Sequence, residues 1–334
     1  MRWTAAAAGL AALACHSPAP APPAASASGG RYAMGTVLEA TLHGRDRAAL
    51  EEALEALFAL AARLDSLVSL YQPESDLVRL NRAAGAGGVA VAPETAELVA
   101  RSLELTRATA GTFDPTVGAL VALWSEAARS GALPEPGALA RARALVGPQH
   151  VRVGPGPRVE LLRPGVSLDL GGVAKGFALD RMLPLLRERG VESALLSFGQ
   201  SSSWALGAPP GAASWGLLAR APGGGFLGVL HLRDLALSVS GSLAQALEIG
   251  GRSFGHILDP RSGWPLERRR EALVVAPRGD LAEALSKALL VGGEGEGLAR
   301  VEAEPGCEGL LADADGRHWT TSGFAARVAF EPLP

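Results

Sequence analysis

Two lysines, Lys175 and Lys287, stand among 31 basic residues; all the others are arginine. With arginine in the ordinary surface positions, each lysine marks a place suited to a compact point charge rather than a planar fork. Lys175 belongs to Asp169-Leu170-Gly171-Gly172-Val173-Ala174-Lys175-Gly176, and Lys287 to Glu283-Ala284-Leu285-Ser286-Lys287. The first segment reads as a strand-to-helix turn. Its paired glycines would expose backbone N–H groups at a helix N-terminus, a ready site for phosphate. Lys175, one turn into the helix, reaches the same anion. Asp169 offers a carboxylate to a ribose, an ammonium or a metal. The spacing is neither that of the G-x-x-x-x-G-K-[ST] loop nor that of G-x-G-x-x-G, and a plain turn with a surface lysine has the same local form.

The densest motif is Gly255-His256-Ile257-Leu258-Asp259-Pro260-Arg261-Ser262-Gly263-Trp264-Pro265. Its glycines and prolines describe a rigid loop presenting an imidazole, which titrates near neutrality and can serve as a general base or simply cap a turn. Glu283 and Lys287, four apart, share one helix face. Ala284, Leu285, Ala288, Leu289 and Leu290 make that helix apolar, so the pair is expected to border a cavity. Three further segments are rich in small polar residues: Thr112-Phe113-Asp114-Pro115-Thr116-Val117-Gly118, Phe198-Gly199-Gln200-Ser201-Ser202 and Ser238-Val239-Ser240-Gly241-Ser242. Together they suggest strand ends converging on one polar ligand.

The elements that must position these groups follow from periodicity. Residues 48–68 carry Leu50, Leu54, Leu57, Phe58, Ala61, Leu64 and Val68 at helical spacing. Further helices are expected near 77–81, from Pro93 towards Gly111, over 116–128, 138–146 and 173–189, and from a capping Asp280 to 291. Strands are expected over 36–42, 151–161, 166–169, 194–198, 217–221, 226–232, 235–240, 272–276, 309–312 and 324–330. The mixture lacks a regular βαβ alternation. It predicts one α+β domain, with mixed sheets packed against helices, spanning 31–334.

A 48% apolar fraction fits a large core, and a net charge of −3 gives no basic footprint for nucleic acid. Residues 1–14 read as a signal segment, with Arg2 before an apolar run too short to span a bilayer. Cys15 after Ala12-Leu13-Ala14 resembles a bacterial lipobox. A Pro/Ala/Ser/Gly tract then serves as a tether over 15–30. This predicts export to the periplasmic side of a bacterial membrane with a lipid anchor at Cys15. Cleavage after Ala25-Ser26-Ala27, or no export, are the alternatives. Cys307, the only other cysteine, is expected to be buried and inert.

Read in order, the chemistry-bearing segments resemble the ApbE family of FAD:protein FMN transferases. The resemblance runs from Met34-Gly35-Thr36 and Ser69-Leu70-Tyr71 through the segments above, with Asp180, to Ala288, and covers roughly residues 31–330. It implies transfer of FMN from FAD to a Ser or Thr hydroxyl of a target protein, with release of AMP and with magnesium assisting. By motif position it places Met34, Tyr71, Thr112, Phe113, Asp114, Asp169, Lys175 and Ile257 around FAD. His256 would be the base. The metal would sit at the Gly172 carbonyl and the side chains of Glu283 and Lys287. Two departures stand out. The family pattern at the metal helix is Asp-Ala-Leu-Ser-Thr, where this chain has Glu283 and Lys287, and a protonated lysine cannot ligate a hard cation. Gly199-Gln200-Ser201-Ser202 also stands where many relatives carry a Gly-Gly-Asp type loop. These departures leave two alternatives to transfer: an FAD-binding carrier, or a pyrophosphatase releasing FMN to water.

Overall fold

The computed structural model describes residues 25–333. At its centre is an eight-stranded antiparallel sheet. In spatial order its strands are Ala25–Ala33, Thr36–Gly44, Ser193–Phe198, Ser202–Leu206, Leu235–Gly241, Arg270–Ala276, Glu308–Asp313 and His318–Thr320. Alternation along a strand gives the sheet two apolar faces. In the strand Arg270–Ala276, Ala272, Val274 and Ala276 join the main core on one face, while Leu273 and Val275 join a second core on the other.

The helices Arg47–Val68, Ala174–Glu188 and Gly279–Gly292 cover the first face. A three-stranded sheet (Trp215–Arg220, Phe226–Leu232 and Glu331–Pro332) and the helix Phe324–Val328 enclose the second core. A third cluster, built on Leu120, Trp124, Ile249, Phe254 and Leu258, joins the helix Gly118–Ser130 to the histidine loop.

The α+β architecture and most elements agree with the sequence expectations, and four differences have physical causes. The tract read as a tether to residue 30 ends earlier, because Ala25–Ala33 pairs along its length with Thr36–Gly44. Its small residues let the helix Arg47–Val68 lie close: a side chain begun at Gly29 would sit 3.2 Å from Leu54 Cδ2. The proposed signal segment and Cys15 lie outside the described residues. Residues 166–169 form no strand. Asn81 instead brackets Leu168, its Nδ2 donating to the Leu168 carbonyl at 2.9 Å and its Oδ1 accepting from the Leu168 amide at 2.8 Å.

Residues 324–330 include a helix, because Phe324 and Val328, one turn apart, both close the second core. Asp280 does not cap its helix. The helix starts after Arg278, and Asp280 lies buried in the first turn, 2.5 Å from Arg101 and 3.0 Å from Arg278. The cap comes from the neighbouring helix. Asp180 accepts from the amides of Gly279 at 2.6 Å and Asp280 at 3.1 Å, and from Trp204 Nε1 at 3.1 Å. The two helices can meet this closely because Gly176 and Gly279 face each other: a Cβ on Gly176 would fall 2.2 Å from the Gly279 carbonyl oxygen.

Cys307 is buried, and desolvation pushes its thiol up to about 12, which keeps it unreactive. No helix among the described residues is long and apolar enough to cross a membrane.

Candidate active site

The glycine turn at 169–173 leads into the helix Ala174–Glu188, whose N-terminus has no side-chain cap. The Asp169 amide donates to the Pro115 carbonyl at 2.7 Å, which ties the turn to the 112–118 loop. Asp169 Oδ1 accepts from the Gly171 amide at 2.8 Å. Burial raises the Asp169 carboxyl above the usual carboxylate range, against the lowering effect of that hydrogen bond. A side chain begun at Gly172 would lie 3.4 Å from Phe113 Cε2 and 3.8 Å from Lys287 Cε, so three of the predicted segments meet there.

In the 112–118 loop, Thr112 Oγ1 donates to the Thr109 carbonyl at 2.7 Å, and Asp114 Oδ1 accepts from the Thr116 amide at 2.8 Å. Thr112, Phe113 and Asp114 are all buried. Desolvation raises the Asp114 carboxyl, while the Thr116 hydrogen bonds and His150 pull it down.

Lys175 Nζ donates to Ser201 Oγ at 2.7 Å. Ser201 lies in the short turn between the strands Ser193–Phe198 and Ser202–Leu206. The neighbouring two-residue turn, Met34-Gly35, has φ of 51° and 78°, the left-handed pair that a tight hairpin needs. Both turns sit at one end of the sheet, where the Gly199 amide donates to the Val37 carbonyl at 3.0 Å. Met34 is half-buried there.

His256 follows the hairpin Leu247–Ile249 and Arg252–Phe254. Its loop is closed by Gly255 N to Leu266 O at 2.8 Å, Leu266 N to Ile257 O at 2.9 Å and Asp259 N to Trp264 O at 2.9 Å. Trp124 Nε1 braces it by donating to the Gly263 carbonyl at 2.8 Å. Gly255 is required, because a Cβ there would fall 2.2 Å from the Ser242 carbonyl oxygen. His256 is exposed, and Ile257 is half-buried. Desolvation by the surrounding protein, then the charges of Lys287 and Lys175, hold the imidazole below its usual pKa. It is therefore neutral, and able to take a proton, at pH 7.

Glu283 is 1% exposed. One of its carboxylate oxygens accepts from Ser202 Oγ, and the other lies 3.3 Å from Lys287 Nζ. Ser286 extends the polar lining, with its Oγ 2.9 and 2.8 Å from those of Ser238 and Ser240. The structure thus brings together Gly172, Phe113, Lys175, Glu283 and Lys287, with His256 near enough for both lysine charges to act on it. Tyr71 stands apart in the turn after the helix Arg47–Val68, 96% exposed. Sequence reasoning assigned no role to Ser202, which holds Glu283, or to Asp180, which seats the Glu283 helix. Asp180 was visible only as part of a motif.

The side chains at 283 and 287 do not fit a divalent cation. Such ions need several oxygen ligands, whereas Lys287 presents N–H donors and already occupies one Glu283 oxygen. Among the described residues, no cluster of three or more His, Cys, Asp or Glu side chains could hold a metal.

The family model described as "ApbE family" matches residues 34–311. A relative from Treponema pallidum (strain Nichols), "FAD:protein FMN transferase", is 32% identical over 88% of this chain and 86% of its own length. One of the same name from Klebsiella pneumoniae (strain 342) is 29% identical, covering 84% of each chain. The apo crystal structure of the Pseudomonas stutzeri flavinyl transferase ApbE superposes with a TM-score of 0.79 at 26% identity, over 91% of this chain and 97% of that one. With the matched region spanning both the glycine turn and the Glu283–Lys287 helix, the chain belongs to the ApbE family.

Proposed function

We propose that this protein transfers FMN from FAD to a hydroxyl of a target protein. The observation that carries the reading is His256, an exposed, neutral base within reach of the charges of two lysines, one of them in the first turn of the helix that follows the glycine turn. The acceptor oxygen, from a Ser or Thr, attacks the FMN-side phosphorus. The bond from that phosphorus to the bridging oxygen breaks, and AMP leaves with that oxygen. The hydroxyl proton passes to His256 Nε2 or Nδ1, so that FAD and R–OH become R–O–FMN, AMP and one proton. Transfer of this kind needs alignment and charge neutralisation more than covalent help from the protein.

In this reading Met34, Thr112, Phe113, Asp114, Asp169, Lys175 and Ile257 line the FAD site. Lys175 and the Gly172 amide bind the diphosphate, the Val173 and Ala174 amides being taken by the Leu170 carbonyl. Tyr71, unburied in the free protein, closes over a ring of the cofactor. Magnesium is part of the resemblance, but the donor set at Glu283 and Lys287 assigns it no step here.

The test is mass spectrometry of an acceptor protein incubated with this enzyme and FAD. Transfer adds FMN to a Ser or Thr and yields an equal amount of AMP. AMP without label is the signature of a pyrophosphatase, and intact FAD that of a carrier; either outcome rejects the reading.

Export and lipidation at Cys15 belong to the same proposal, since an anchored enzyme would meet acceptors at the membrane surface. The native protein is expected in the membrane fraction, and Cys15→Ala in the soluble fraction. Equal partition of the two would refute the anchor.

A further inference from the structure

We infer that the Lys287 ammonium, tethered to Glu283, is the resident cation of the diphosphate site, so that pyrophosphate cleavage needs no divalent metal at this helix. The inference rests on the transfer reading above and adds a catalytic group to it. Lys287 Nζ lies 3.3 Å from Glu283 Oε2, and Ser202 Oγ holds the other carboxylate oxygen. Both oxygens of Glu283 are therefore engaged before any ion arrives. A metal competing for Glu283 would strand an ammonium that is only 19% exposed, and an unpaired charge in that position is costly.

Placement gives the ammonium its task. Its Cε lies 3.8 Å from where a side chain would begin on Gly172, in the glycine turn that leads into the helix Ala174–Glu188. Lys175 approaches from the other helix, held by Ser201. Burial lowers the Lys287 pKa while Glu283 supports its charge, and the two lysines act electrostatically on each other and on the neutral His256, so both ammonium groups disfavour a further cation beside them. An anion relieves that repulsion, and a diphosphate carries enough charge to meet both lysines. As the bridging oxygen leaves on AMP it gains negative charge, which Lys287 neutralises without a proton or electron beyond those already balanced. Lys175 remains on the transferred phosphoryl group.

The experiment compares the full-length enzyme with Lys287→Thr and Lys287→Met, in chelator and in magnesium. It reads AMP release together with FAD affinity by flavin fluorescence. The parent is expected to show the same rate and affinity in both buffers, within about two-fold. Lys287→Thr is expected to lose about ten-fold or more in each in chelator, the scale of one lost charge contact, and to recover in magnesium. A calorimetric titration should show magnesium binding to that variant with FAD and none to the parent. Lys287→Met keeps the stem without the charge and falls in chelator by a similar factor, which covers the case in which the threonine variant does not fold. A parent that loses rate or affinity in chelator, or folded variants that match the parent there, overturns the inference. A parent that binds FAD equally in both buffers but releases no AMP leaves Lys287 as the resident cation and rejects the transfer reading instead.

Discussion

Replacing His256 with alanine is expected to slow FMN transfer by about 10²–10⁴-fold, the usual contribution of a positioned general base. FAD should remain bound, because the glycine turn, Lys175 and the buried 112–114 segment are built on other elements. The loop should also survive, since its closure uses backbone hydrogen bonds and the Trp124 brace rather than the imidazole. Single-turnover label incorporation, with FAD affinity from fluorescence, checks both parts. Retained transfer removes His256 from the role of base.

The same residue sets a pH dependence. The base works when neutral, and its pKa is lowered, first by desolvation and then by Lys287 and Lys175. Activity is therefore expected to hold as pH falls through 7 and to be lost only below the ordinary histidine range, so the acid limb of kcat/KM lies below pH 6.5. Lys287→Met removes one repelling charge and should move that limb to higher pH. A limb at or above the ordinary value in the parent would contradict the geometry.

The second large effect concerns Asp180. Asp180→Ala leaves two helix-terminal amides and the Trp204 indole without their acceptor. The expected loss is about 3 kcal/mol, from about 1–3 kcal/mol per abandoned buried donor less what water recovers. Because this helix carries Glu283 and Lys287, the variant should also weaken FAD binding without touching the ligand.

Asp180 also makes stability depend on pH, with a sign opposite to that of most carboxylates. Burial, with Asp280 nearby, raises its pKa to about 6 in the folded state, although three hydrogen bonds pull the other way. A folded-state pKa above the unfolded one means that the folded protein holds its proton more tightly. Asp180 therefore favours folding when protonated, and this contribution falls by about 3 kcal/mol as pH rises from about 4 through 6. Asparagine cannot titrate. The stability difference between parent and Asp180→Asn should shift by roughly that amount, in favour of the parent, between pH 7 and pH 4. Urea unfolding at the two pH values measures it, and a pH-independent difference would show that Asp180 is not perturbed.

Much of the site was legible in the chain because its signals are local. Paired glycines before Lys175, the Gly-His…Asp-Pro loop and the i, i+4 spacing of Glu283 and Lys287 each state a backbone requirement or a shared face within a few residues. The long helix Arg47–Val68 followed from apolar period alone. The strand pattern misled where small residues were involved. Ala25–Gly30 carries no hydrophobic signal, yet it lies flat in the sheet because a helix needs close approach there.

The amino-acid sequence alone determined which groups could do chemistry: two lysines, a histidine on a rigid loop and a glycine turn open to an anion. Tertiary structure alone decided how those groups are held and paired. Ser202 reaches Glu283 across 81 residues of chain, and Asp180 caps a helix 99 residues away. The reason is physical. A buried charge takes whichever donor the packing of distant elements brings within about 3 Å, and no local pattern encodes that choice.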